Sequence, residues 1–321
     1  TPALADGSDS IARSLRIRVI GLAFLTALLD GLDLQIIAYT APAIARDLAL
    51  TEASLGVIFS GGFAGLAAGS MFLAPLGDRL GRRTVVILSL LLFGTCVCLT
   101  PLVQNAEQLF VLRALTGLGL GGVMPNVIAI SMEFSPARLR ASMVSFTYFG
   151  FIIGAAAGGL VAAALIPQVG WRGLLYIVGT MPLMLAIIQY FFLPESPEYL
   201  SHRNARAAYH RSKADRLVGN LREERPASPI RAIFSPENRR NSALMWAAMF
   251  TNISTAFAVF QWLPTILNET GFALENANAL VALMWASAMP GVLLLIHLAK
   301  SKRIQRVLAV FLCFCAFVTF L

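Results

Sequence analysis

Asp30 and Asp33 lie three residues apart in LLDGLDLQII, inside the first long apolar run of the chain. A charged group at bilayer depth costs about 2.5–3.5 kcal/mol on insertion scales, so acids there point to the handling of ions, protons or substrate. A spacing of three puts the two about 60 degrees apart on a helix, on one stripe with Thr26 and Ile37, so both carboxylates can face one interior cavity. Acids this close rarely ionise together, and a proton then belongs to the pair rather than to either residue. Loaded on one side of a membrane and released on the other, that proton is the working element of a carrier. The plainer alternative is that one acid satisfies Arg113 or the turn at Gly31.

Arg113 stands in another apolar run, in LRALTGLGLGG, at a depth matching that of Asp33 if alternate runs cross in opposite directions. Its planar fork suits a carboxylate, either that of Asp33 or the acid group of a substrate. Competition between those partners would couple substrate arrival to release of an aspartate, whereas static pairing would only neutralise the charge. Asn126, Tyr39, Tyr148, Trp246, Asn252, Gln261, Trp262 and Trp285 are further amides and aromatics within apolar runs, suited to sandwiching a ring and bonding a hydroxyl. Trp262, close to a run's end, reads as an interfacial belt residue instead. His202 and His210 read as solvated and His297 as a snorkelling helix-end residue.

The elements that must position these groups are membrane helices. The chain is 57% hydrophobic and 13% charged over 321 residues, which places it among polytopic membrane proteins. Spans of about 20 apolar residues fall at 17–40, 54–76, 84–103, 108–132, 141–165, 172–193, 241–265, 276–299 and 304–321. All of the 25 basic residues except Arg46, Arg113 and Arg172 fall in the N-terminal tail and in alternate connections, which predicts a cytoplasmic N-terminus. The net charge of +8 therefore reads as topology rather than as a nucleic-acid surface. Cys96, Cys98, Cys313 and Cys315 lie in apolar runs without nearby ligands, so no metal or other cofactor is expected. No cleavable signal peptide is visible.

The expected organisation is an N-terminal tail (1–16), a six-helix bundle (17–193), a cytoplasmic linker (194–240) and three helices of a second bundle (241–321). The last run stops at Leu321 with no polar flank, which reads as a C-terminal truncation of a twelve-helix protein. Residues 205–222 form either a surface helix on anionic headgroups or a solvated tether. Glycines repeat every fourth residue at Gly61, Gly65 and Gly69 and at Gly150, Gly154 and Gly158. Such ribs serve either as static packing or as a sliding interface between moving halves.

The turn LGDRLGRR (76–83) pairs a flexible Gly81 with Asp78, Arg79, Arg82 and Arg83, which can bond helix ends across an interface. It resembles the loop of the major facilitator superfamily, Gly-x-x-x-Asp-Arg-x-Gly-Arg-Arg, with Ala74 at the first glycine. LxxxRxxTG from Leu109 to Gly117 is similar to that superfamily's fourth-span motif, and PESPEYL (194–200) to its ending of span six. Asp-Gly-x-Asp in span one and GLGLGGVMPN (117–126) narrow the likeness to the aromatic acid:proton symporters.

The resemblance implies an all-α membrane bundle with a central site reached alternately from either side. It also implies that Asp30 and Asp33 are needed for transport, that Arg113 lines the cavity, and that the Asp78 loop controls a cytoplasmic gate. Glu133 matches a family acid, or is a helix-end anchor. Lys300 stands where the second-half copy of the loop usually has Asp. The expected activity is import of a small organic anion, an aromatic carboxylate, with protons, across the cytoplasmic membrane by a monomer. The rival readings are a facilitator for sugars or other metabolites and a non-transporting truncated protein. A membrane-embedded enzyme is disfavoured because no HExxH or GxSxG motif is present.

Overall fold

The computed structural model describes residues 2–201, 203 and 239–298. The span expected at 304–321, most of the linker, His202, His210, Lys300, Cys313 and Cys315 lie outside them, as do the side chains of Asn252 and His297. Among the described residues the structure is helical, with α1 (Pro2–Asp47), α2 (Glu52–Phe72), the short α3 (Gly77–Leu80), α4 (Arg82–Leu99), α5 (Ala106–Glu133), α6 (Arg140–Phe192), α7 (Arg239–Glu269), α8 (Leu274–Ser287) and α9 (Met289–Leu298). Six of the helical stretches among these residues are long and apolar enough to cross a membrane. Their flanks leave Phe72, Met71, Leu88 and Phe191 exposed, as lipid-facing side chains are.

The ends of the helices follow from local chemistry. Thr51 caps α2 by accepting from the Ser54 amide at 3.2 Å. Asn105 caps α5 by accepting from the Gln108 amide at 2.9 Å, while Gln108 Oε1 reaches back to the Gln104 amide at 2.8 Å. Gly170 (φ 68°, ψ 175°) breaks α6 into two arms, so the fifth and sixth expected spans are joined by a single non-helical residue.

The register of the bundle is set by backbone contacts at small residues. On α2, Gly61, Gly65 and Gly69 meet Phe110, Ala114 and Leu118 of α5 in step, and Gly117 and Gly121 answer against Gly62 and Leu66. On the first arm of α6, Gly150, Gly154 and Gly158 meet Phe24, Leu28 and Leu32 of α1. Equal steps of four on both partners mean that each pair runs parallel. The second arm of α6 runs antiparallel to α4, with Gly179 against Cys98, Pro182 and Leu183 against Gly94, and Arg83 reaching the Tyr190 carbonyl. Both ribs therefore serve as packing within the first six spans. The sliding interface between halves considered from the sequence is not where they lie. The neighbouring Gly159 does face the second half, at Ala282 and the Asn278 carbonyl of α8.

Two apolar clusters fill the bundle. One, toward the end opposite the Asp78–Arg83 turn, includes Ile36, Ile58, Leu109 and Leu174. The other, nearer that turn, includes Leu22, Leu90, Leu120 and Leu185. Asp30 and Asp33 on α1 and Arg113 on α5 occupy the level between them.

Because a Cβ on Gly65 would overlap the Ala114 carbonyl oxygen, Gly65→Ala must force α2 and α5 apart, at a cost of about 1–3 kcal/mol. Gly21 has open space around it, so Gly21→Ala should leave stability within about 0.5 kcal/mol. Thermal unfolding of the two variants in detergent checks this, and equal shifts would contradict the register described above.

Candidate substrate and coupling site

Gly31 presses α1 onto α6: a Cβ there would collide with the Phe151 carbonyl. This contact divides the surroundings of the two acids. Asp33 is 2% exposed, and neither of its carboxylate oxygens has a hydrogen-bond partner. It lines a small cavity of about 30 Å3, room for about one water, with Phe59, Gly62, Arg113, Thr116 and Gln261. Asp30 is equally buried and close enough to interact electrostatically with Asp33 and with Tyr148 of α6, but it does not line this cavity. The two acids neighbour one another without sharing one chamber, a correction to the single-cavity expectation.

Arg113 is 4% exposed and shares the cavity with Asp33, yet the two form no ion pair. Its Nη2 donates instead to Thr100 Oγ1 at 3.0 Å, and that hydroxyl donates to the Cys96 carbonyl at 2.8 Å. Nε has no partner. A guanidinium and a carboxylate facing one apolar chamber, each with bonding capacity unspent, carry a large desolvation cost that a ligand or a proton would relieve.

A second, larger hollow of about 590 Å3 adjoins the first through Phe59, Phe63 and Gln261, and runs between α2 and α7. Aromatic rings line it in pairs that bridge these helices: Phe59 against Trp262 at 5.5 Å edge-on, and Phe63 against Phe257 at 5.0 Å. Trp262 is thus a packed wall of the interior rather than the belt residue expected. Trp285 stacks on Phe260 at 4.3 Å and meets Phe151 edge-on. Tyr39 is fully buried and donates to the Ala155 carbonyl at 2.9 Å, tying α1 to α6. Trp246 is exposed on α7.

The remaining expected site residues gather elsewhere. Asn126 donates to the carbonyls of Gly122 (2.8 Å) and Ala74 (3.3 Å) and lies against Gly77, so it buttresses the α2–α4 turn and is not part of the Asp33 cavity. Glu133 also belongs to that turn. It takes an ion pair from Arg82 and bonds from the Ser196 hydroxyl and the Glu198 amide. Arg82 reaches Asp78 (3.3 Å) and Glu198 (3.4 Å) as well. Gly81 has φ 99°, a left-handed conformation, with the Glu195 carboxylate over its α-carbon. Glu195 accepts from the Arg83 amide at 3.1 Å, and the Arg83 side chain donates to the Tyr190 carbonyl. Arg79, at the end of α3, has no contact in this network.

Four contributors carried no clear sequence signal. Glu195, Ser196 and Glu198 stood in PESPEYL as a helix-ending pattern without assigned chemistry, and Thr100 stood as one hydroxyl among many. The (i, i+4) back-bonding habit of Thr in apolar helices, and its place 13 residues before Arg113, were the only available hints.

Fold and site together define a multi-pass helical membrane protein built around a buried acid and arginine. The chain matches the family model described as Major Facilitator Superfamily over residues 23–321, and it belongs to that superfamily. It is 36% identical over 281 residues to the 4-hydroxybenzoate transporter PcaK of Pseudomonas aeruginosa, covering 83% of this chain and 62% of that one. It is 30% identical over 302 residues to the gallate transporter of Pseudomonas putida, covering 91% and 67%. Among solved structures, the proton:xylose symporter XylE aligns with a TM-score of 0.68 at 17% identity, over 90% of this chain and 70% of that one, a likeness of fold alone. The chain thus spans about six tenths of the PcaK length. Both of these curated relatives are named as transporters.

Glu133 is 12% exposed and its partner Arg82 15%, whereas Asp78 is 73% exposed. Glu133→Ala should therefore cost about 1–3 kcal/mol by stranding Arg82, and Asp78→Ala less than about 0.5 kcal/mol. Thermal melts of the purified variants check the order; equal losses would remove Glu133 from the centre of the cluster.

Proposed function

We propose that this chain belongs to a proton-coupled symporter that imports small aromatic carboxylates across the cytoplasmic membrane, with its N-terminus and the Asp78–Arg83 turn inside. The observation that carries the reading is the single cavity holding an unpartnered Asp33 carboxylate and an incompletely bonded Arg113. It adjoins a hollow lined by Phe59, Phe63, Phe257 and Trp262. A carboxylate offers Arg113 a bidentate partner, and the rings offer an apolar aromatic ligand its faces. The relatives named for 4-hydroxybenzoate and gallate support this substrate class over sugars.

In this reading Asp33 and Arg113 interact across the empty cavity. When a substrate carboxylate takes the guanidinium, Asp33 loses that electrostatic support and takes a proton, with Asp30 beside it resisting a second charge. Bringing one negative charge inward against an inside-negative potential costs about 2.3 kcal/mol per 100 mV, which one co-transported proton cancels. Residues 17–193 act as one bundle and 194–240 as the tether to a second that begins at 241. The loop of Asp78, Arg79, Gly81, Arg82 and Arg83 controls the inner gate, with Glu133 bracing it through Arg82, and the working unit is a monomer.

Uptake of labelled benzoates by cells expressing the full-length gene product should be concentrative and abolished by an uncoupler. Asp33→Asn and Asp30→Asn should each remove accumulation. Arg113→Ala should lose carboxylate binding by about 2–5 kcal/mol. Normal concentrative uptake in either aspartate variant would sink the proton-carrier assignment.

A further inference from the structure

Among the residues lining the Asp33–Arg113 cavity, Gln261 is the polar one contributed by α7, and the other polar groups all come from α1 and α5. It is 3% exposed. Its Nε2 donates to the Leu34 carbonyl at 3.1 Å and lies 3.5 Å from Gln35 Oε1. The Leu34 carbonyl can only accept, so the Gln261 amide cannot turn over without setting oxygen against oxygen there. Its orientation is fixed, and Oε1 is left as a buried acceptor with no partner. Thr116, the remaining hydroxyl on the cavity wall, already donates to the Leu112 carbonyl at 2.7 Å.

We infer that Gln261 is a specificity residue, whose Oε1 accepts a hydrogen bond from a hydroxyl on the ring of the substrate while Arg113 holds its carboxylate. The inference rests on the aromatic-carboxylate reading above. An unsubstituted ring seated in the larger hollow that Gln261 also lines keeps water from Oε1 and leaves it unpaired, which is costly; a ring carrying a donor satisfies it. A methoxy group in the same place brings a second acceptor and cannot. Gln261 sits in both hollows, beside Phe59 and Phe63, so a ring against those faces brings its substituent to α7. The preference is thus read by the second half of the protein and the charge by the first.

The test is competition against labelled benzoate uptake in cells expressing the full-length gene product, using 3- and 4-hydroxybenzoate and their methoxy counterparts. In the wild type at least one hydroxybenzoate should compete roughly three- to tenfold better than both benzoate and its own methoxy counterpart. In Gln261→Leu that advantage, taken as a ratio to the variant's own affinity for benzoate, should fall to about one. Methoxy and hydroxy acids competing equally in the wild type would overturn the inference without any variant, as would an advantage that survives in Gln261→Leu. Loss of all acids alike in the variant would assign Gln261 only to the contact with Leu34 and also overturn it. Absence of any aromatic-acid uptake by the wild type would instead sink the carboxylate reading, and the role of Gln261 with it.

Discussion

Backbone pressed against backbone is the constraint from which the rest of this structure follows. In lipid no hydrophobic force separates one apolar helix face from another, so association depends on how closely the helices approach. Gly65 against Ala114, Gly154 against Leu28 and Gly31 against Phe151 leave no room for a side chain. Each fixes a register to within a residue, because a slip of one would put a Cβ into a carbonyl. The parallel pairs α1 with the first arm of α6, and α2 with α5, bring Asp33 and Arg113 to one level. Asp33 has no hydrogen bond that would hold it there, and Arg113 has only the one to Thr100.

That placement explains how two charges are tolerated between apolar clusters without an ion pair. Arg113 is steadied by Thr100, whose hydroxyl is in turn bonded to the Cys96 carbonyl, so the guanidinium has an anchor that does not consume its capacity for a carboxylate. Asp33 has no such anchor and stays chemically available. In the proposed reading a direct salt bridge would raise the cost of admitting a substrate acid, since a buried pair broken on one side leaves an uncompensated charge. The two groups instead face one cavity without an ion pair.

Much of this was legible in the residues. Intramembrane acids and an arginine stand out because lipid makes them costly, and the four-residue glycine spacing marks a groove whatever it packs against. The spans followed from hydropathy. What sequence could not supply was direction: whether Asp30 and Asp33 face one chamber depends on Gly31 docking on Phe151, a contact 120 positions away. Asn126 was read as one of the amides within apolar runs and Glu133 as a family acid or a helix-end anchor. The helix carries them about three and a half and five and a half turns beyond Arg113, to the turn at its end. Trp262 lay near a span boundary, and only the position of α2 decided that Phe59 would cover it.

The bonds at the two ends of the bundle differ in kind. Around the Asp78–Arg83 turn they are ionic and interlocked, joining α3, α4, α5 and the segment after α6 through Arg82, Glu133 and Glu195. All of these belong to the first six spans. Between the halves, the contacts are ring pairs such as Phe59 with Trp262 and Phe151 with Trp285, and hydrogen bonds of side-chain amides: Gln261 to the Leu34 carbonyl, Asn278 to the Tyr39 carbonyl at 3.2 Å, and Arg46 to Asn268, the last charge-assisted. A neutral hydrogen bond contributes only about 0.5–1.5 kcal/mol net, because water or another polar group replaces it. A network that strands a half-buried arginine when broken is far harder to open. The ionic links thus tie the first bundle to itself, while the seam with the second carries no ion pair among the described residues. Gln261 lies on that seam, so a substrate satisfying its free oxygen would bear on the contact between the halves as well as on its own affinity.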